Sequence, residues 1–173
     1  MKWALWSATV LGILTASTAT AQHARVSAGY GRILPTGRFL DNHEPGWQLM
    51  GTVEVAVPRT PLGLRVDGMY GGNQGRSDFD VGTFHFSVVT AAVVCHIGSP
   101  AAPLRPYLLG GVGYSTGQPQ WAPAFAGGGG LSLGAGPWKA FVEGRYISAG
   151  NAGITTTPVT FVAVTGGLSF GHR

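Results

Sequence analysis

The sequence predicts an all-β fold: an eight-stranded antiparallel up-and-down transmembrane β-barrel that follows an N-terminal signal peptide. Three observations lead there: too little charge for water, hydrophobicity of period two without helical stretches, and connections that alternate between long and short. Only 10% of the 173 residues are charged, 45% are apolar and 29 are glycine. An average soluble domain carries roughly a quarter charged residues and about 7% glycine. Mean hydropathy is slightly positive, at +0.20. A water-soluble domain needs a polar coat that this composition cannot supply. Disordered chains are rich in charge and poor in aromatics, and collagen needs glycine at every third position. Neither description fits.

The formal net charge is +4 and the isoelectric point about 9.6. Nine Arg and two Lys are scattered along the chain with no run of three. Nucleic-acid binding calls for a clustered basic stripe with stacking aromatics, so no nucleic-acid partner is expected. A single cysteine rules out a disulfide framework and a CxxC zinc site. Cys95 reads as a small apolar strand residue.

The first 21 residues read as a signal peptide. Lys2 supplies the positive start, residues 3–14 form a short apolar stretch, and Ala19-Thr20-Ala21 precedes Gln22. Small residues at Ala19 and Ala21 suit a signal peptidase, and the apolar run is short for a membrane helix. The expected division is therefore a signal peptide over 1–21 and a barrel domain over 22–173.

Strands are expected at about 24–33, 47–57, 62–70, 81–97, 104–114, 124–133, 138–147 and 159–170. The first, third, fifth and seventh connections (34–46, 71–80, 115–123, 148–158) are long. The others (58–61, 98–103, 134–137) are short and hold Pro58, Pro61, Pro100, Pro103 and Pro137. A barrel threaded through a membrane has this parity, with short turns on one side and longer loops on the other.

Alternation separates two faces. Trp47, Leu49, Val53 and Val55 oppose Gln48, Met50, Thr52 and Glu54; Leu62, Leu64, Val66 and Tyr70 oppose Arg65, Asp67 and Met69. Trp138, Ala140, Val142 and Tyr146 likewise oppose Lys139, Phe141, Glu143 and Arg145. Glu54, Arg65, Asp67, Glu143 and Arg145 then face the lumen. An eight-stranded barrel is just wide enough for side chains to fill it, so these charges are expected to form a plugging salt-bridge network. Trp47, Tyr70, Tyr107, Tyr114, Trp138, Tyr146 and Phe170 lie near strand ends, where interfacial aromatic girdles belong. Four successive glycines at 127–130 suggest a small void in the wall of the sixth strand.

Three segments carry a family resemblance. Arg105-Pro106-Tyr107-Leu108-Leu109-Gly110-Gly111-Val112-Gly113-Tyr114 resembles a strand of eight-stranded outer-membrane barrels. Phe141-Val142-Glu143-Gly144-Arg145-Tyr146 is similar to their penultimate strand, and Val164-Thr165-Gly166-Gly167-Leu168-Ser169-Phe170 to their closing strand. The family is the outer membrane protein β-barrel family, with OmpA-, OmpX- and opacity-type members, and the resemblance spans about 24–170. It implies an outer-membrane location with lipid and lipopolysaccharide as surroundings. It also implies insertion by the outer-membrane assembly machinery through the terminal aromatic, Phe170, although Gly171-His172-Arg173 follows it here. The expected role is structural or surface-interacting, as a monomer without a cofactor, the long loops providing contact sites. A narrow pore for small solutes is the alternative, with a degenerate lipid A deacylase-like barrel as a further one.

Enzymatic readings lack their residues. Positions 145–154 resemble the lipid A deacylase segment, but the catalytic His falls on Ser148 and the nucleophilic Ser on Gly150. Acyl hydrolysis needs both groups. His85 and His96, eleven apart on one strand, point to opposite faces and cannot share a metal. The glycine run at 110–113 lies within a strand, without the helix that a phosphate loop requires. A soluble ligand-binding barrel would have to expose its charged face, and too few charges are present for that.

Overall fold

The structure is a computed structural model that describes residues 24–76, 82–117, 120–134, 136–150 and 158–171. The expected signal peptide and its cleavage residues Ala19, Ala21 and Gln22 lie outside the described residues. Eight strands close into one antiparallel barrel in sequence order. They are β1 (Ala24–Thr36), β2 (Gly46–Ala56), β3 (Leu62–Asn73), β4 (Phe84–His96), β5 (Leu104–Gly117), β6 (Gln120–Leu133), β7 (Trp138–Ala149) and β8 (Val159–Gly171). A short helix, α1 (Arg38–Asn42), joins β1 to β2.

Register fixes the barrel's dimensions. Starting at Arg25, the lateral partners are Glu54, Arg65, Ala92, Gly111, Ala126, Ile147 and Phe161, and the path returns to β1 at Pro35. One circuit thus climbs ten residues along β1. With about 3.3 Å per residue and about 4.8 Å between strands, that stagger tilts the strands by about 40° and gives a backbone radius of about 8 Å. In a lumen so narrow, side chains from opposite walls come within reach of one another.

The period-two pattern decides which residues fill it. Along β2, β3 and β7 buried and exposed residues alternate almost without a break. Leu64, Val66, Leu108, Val112, Phe125 and Leu168 are each more than half exposed on the outer wall. Met69, Phe86, Val88, Ile147, Phe161 and Ala163 form an apolar cluster inside the half of the barrel nearest the long loops. A smaller inner cluster of Val94, Tyr107 and Leu109 lies toward the opposite end.

The connections differ from expectation most at the fifth. The fifth connection was expected to be a long loop over 115–123, yet β5 runs to Gly117 and β6 resumes at Gln120, with Ser115 opposite Ala122 and Tyr114 opposite Pro123. Alternation carries on through the segment, since Trp121 is exposed and Ala122 is buried. Polar residues and Pro119 and Pro123 gave it a loop-like composition. β1 and β3 also extend beyond their expected ends, to Thr36 and Asn73.

Glycine has a specific use on the inner wall. A Cβ on Gly130 would come within 2.6 Å of the Tyr107 ring, and one on Gly167 within 2.7 Å of the Phe141 ring. These glycines are recesses into which the rings of neighbouring strands fit. On the lumen side of the stretch 127–130, where a void is expected, Tyr107 occupies the space against Gly130. Tyr107 is also not a girdle residue: it is only 5% exposed and points inward. Gly130→Ala should lower the unfolding midpoint in detergent or lipid, whereas Gly127→Ala, with nothing within 4 Å of its added Cβ, should leave it unchanged. Equal effects at the two positions would contradict this fit.

Candidate functional site

The chemistry-bearing side chains gather in the lumen. β3 and β7 are four strands apart in a ring of eight, so they face each other across the barrel and run in the same direction. On β3 the inward residues read Arg65 then Asp67; on β7 they read Glu143 then Arg145. Residues two apart share a strand face, so plus–minus on one wall meets minus–plus on the other. Arg65 Nη1 donates to Glu143 Oε2 at 2.7 Å, and its Nε donates to Asp67 Oδ1 at 2.5 Å. Arg145 Nη1 and Nη2 donate to Asp67 Oδ2 and Oδ1, both at 3.0 Å, and its Nε donates to Glu143 Oε1.

Neutral donors complete the arrangement. Tyr107 Oη donates to Glu143 Oε2 at 2.8 Å, and Thr90 Oγ1 to Asp67 Oδ2 at 3.1 Å. With Arg65 Nη2 donating to Glu143 Oε1 at 3.4 Å, each carboxylate oxygen has at least two donors, close to the capacity of an ionised carboxylate. The four charged residues are between 1% and 6% exposed. A buried ion pair offsets its desolvation only when geometry and remaining hydrogen bonds are satisfied, and both conditions are met. The group carries two positive and two negative charges, so it is itself neutral.

Glu54 has a partner that the sequence did not suggest: His96 Nε2 lies 2.8 Å from Glu54 Oε1, both residues being buried. His85 instead faces outward and stacks on Tyr70 with ring centroids 6.1 Å apart, so the two histidines lie on opposite faces. Sequence reading also missed Arg25, Thr90, Arg105 and Tyr107 as inward polar groups. Strand parity was the available signal: Tyr107 is in phase with Arg105 and Leu109, and His96 with Val94. No group of three or more metal-ligating side chains occurs among the described residues.

Aromatic rings gather at the loop end. Phe39 of α1 stacks on His43 at 4.4 Å and meets Phe84 edge-on at 5.6 Å; Phe84 and Phe86 stack at 6.0 Å, and Phe86 packs on Phe161 at 5.1 Å. Asn73 Nδ2 donates to the Glu44 carbonyl at 2.8 Å, and the Glu44 amide to the Gln74 carbonyl at 2.9 Å, pinning the first loop to the end of β3. Burial pushes the His43 pKa below its ordinary value, partly opposed by the Phe39 carbonyl.

In the segment resembling a deacylase, Arg145 belongs to the charge group, and Ser148 on β7 pairs with Phe125 and Thr160. Position 151 and those just after it lie outside the described residues. Phe170, half exposed on the outer wall, packs against Trp138 with ring centroids 4.8 Å apart.

Two outcomes follow from this geometry. Glu143→Ala would strand Arg65, Arg145 and the Tyr107 hydroxyl, and should cost about 3–5 kcal/mol in urea unfolding from lipid; a loss under 1 kcal/mol would contradict the pairing. Burial disfavours the charged His43 ring, so the cap should be at full strength above pH 6.5 and weaken as pH falls from 6.5 toward the lower pKa of the docked ring. Protection factors over residues 38–44, corrected for the intrinsic pH dependence of amide exchange, should therefore be lower at pH 5 than at pH 8, and His43→Phe should remove that difference.

No protein-family model matches the sequence, and no curated protein matches it. Solved structures do. Neisserial surface protein A superposes with a TM-score of 0.71 at 13% identity, covering 86% of this chain and 96% of that one. The outer membrane protein OprG from Pseudomonas aeruginosa gives 0.61 at 14% identity, covering 89% and 98%. The outer membrane enzyme PagL gives 0.56 at 17% identity, covering 85% and 99%. At such identities the likeness establishes the fold, a closed eight-stranded up-and-down barrel shared with proteins of the outer membrane.

Proposed function

We propose that the chain is an integral outer-membrane protein with a structural or surface-interaction role, its lumen plugged by the paired charges of β3 and β7. The observation that carries this reading is the inverted distribution of side chains. Leu, Val and aromatic residues cover the outside, while Arg65, Asp67, Glu143 and Arg145 are buried within. Apolar area in water costs roughly 25 cal/mol per Å², so a wall of this kind belongs in hydrocarbon. Strands of 11 to 14 residues exceed the roughly 9–11 that a tilted strand needs to cross a bilayer.

The remaining parts follow from that placement. Residues 1–21 direct export, with cleavage between Ala21 and Gln22. Phe170 on the closing strand serves the assembly machinery as a terminal aromatic. The barrel acts as a monomer, surrounded by lipid and lipopolysaccharide. The connections at 37–45, 74–83 and 150–158 are the contact sites, on the side away from the short turns. A non-catalytic role agrees with Ser148 and Gly150 at the positions where a deacylase carries its His and Ser.

Cell fractionation joined to gel mobility tests the reading. The protein should partition with the outer membrane and run faster unboiled than boiled; a soluble periplasmic protein without a heat-dependent shift would contradict it. In planar bilayers the wild type should show no steady conductance. A stable open channel would replace the plug with a pore.

A further inference from the structure

Charge on the outer wall of the strands is confined to one place. Arg32 of β1 is exposed on the outer face, whereas every other Asp, Glu, Lys and Arg of the eight strands is buried. Its neighbours across the two ladders are Trp47 and Val164. No carboxylate pairs with it among the described residues. Arg32 lies two residues beyond Tyr30, the middle of β1. With strands tilted by about 40°, that is about 5 Å toward the loop end, inside an apolar band about 25 Å tall. A charge on the lipid face is costly at such a depth, and a long stem lets the guanidinium rise toward the headgroups.

Beside Arg32 the apolar wall sinks. Gly51 and Gly68 face each other across the β2–β3 ladder, with Ala28 and Val89 as the next partners on either side. A Cβ on either glycine would meet nothing within 4 Å. The result is an apolar trough of about 570 Å³, walled by Leu49, Tyr70 and Val89, a volume suited to one drug-sized molecule. Leu49 follows Trp47 by two positions on the outer face of β2, so the trough begins one diagonal step from Arg32. At its loop end Trp47 meets Tyr70 edge-on at 5.7 Å, and Tyr70 stacks on His85 at 6.1 Å. Aromatic rings with polar edges favour the headgroup level, so the trough descends from that level into hydrocarbon.

We propose that the trough seats an acyl chain of lipopolysaccharide and that Arg32 holds a phosphate of its lipid A headgroup. The assignment rests on the outer-membrane placement proposed for the barrel, with the long loops toward the cell surface. The leaflet on that side carries lipopolysaccharide, which joins phosphates and several acyl chains in one molecule. A second copy of the barrel does not supply the partner, because its strand carboxylates all point inward and offer nothing to Arg32.

Native mass spectrometry of the refolded barrel released from detergent, titrated with lipid A, phosphatidylglycerol or phosphatidylcholine, tests the site. Wild type should retain lipid A saturably, and more tightly than either phospholipid. Arg32→Gln should weaken lipid A retention by about fivefold, the share of one arginine at an anionic lipid surface, and leave phosphatidylcholine unchanged. Gly68→Leu fills the trough and should also weaken lipid A retention. Gly144→Leu, on the outer face of β7 across the barrel and with open space at its Cβ, should not. Equal retention of lipid A and phosphatidylglycerol, no loss in Arg32→Gln, or equal effects of Gly68→Leu and Gly144→Leu would overturn the proposal. The variants should keep the outer-membrane fractionation and heat-dependent mobility of wild type. Loss of those two properties in wild type itself would instead overturn the placement on which the site rests.

Discussion

Two arginines and two carboxylates meet across the lumen, and much of the barrel is arranged around that meeting. A sheet closed at eight strands has about 8 Å between its axis and its backbone, so long side chains from opposite walls inevitably touch. Apolar chains could fill the same space, as they do toward the loop end around Phe86 and Phe161. Charges placed there need mutual satisfaction. The Arg65–Glu143 and Asp67–Arg145 pairs, with Tyr107 and Thr90 as further donors, supply it. Because the pairs link strands that share no ladder, they brace the barrel across its diameter, where backbone hydrogen bonds cannot reach.

That brace has consequences for the wall. Tyr107 reaches Glu143 only because Gly130 leaves its ring a recess, and Phe141 rests similarly against Gly29 and Gly167. Inner-wall glycines and inner aromatics are therefore paired features, and the chain's high glycine content is partly a packing requirement. The outer wall carries the opposite chemistry, Leu and Val with Trp and Tyr toward the ends. Polar lumen, apolar exterior and glycine recesses are three expressions of one closed, narrow sheet.

Much of this was legible in the sequence for a physical reason. Period-two alternation is a local property, so the inward set Glu54, Arg65, Asp67, Glu143 and Arg145 could be read without knowing any long-range contact. Strand number and the short turns followed from prolines and glycines. What could not be read was register, because a stagger of ten residues is a property of the closed ring and not of any segment. Register brings His96 to Glu54 and Tyr107 to Glu143. The aromatic cap was illegible for the same reason: Phe39, His43, Phe84 and Phe161 belong to distant segments that meet only at the barrel mouth. The reach of β5 and β6 was obscured by composition, since prolines at 119 and 123 resemble a loop while β5 runs to Gly117 and β6 resumes at Gln120.

The claim that the two walls are braced by charge is tested most directly by a double-mutant cycle between Asp67 and Arg145, measured as unfolding free energy from lipid vesicles. Asp67→Ala, Arg145→Ala and the double variant would be compared with wild type. The account predicts coupling of at least about 1.5 kcal/mol, within the range seen for close, desolvated charge pairs. Each single variant should cost nearly as much as the double. Additive losses, with coupling near zero, would show that the pair contributes nothing as a pair and would contradict the account.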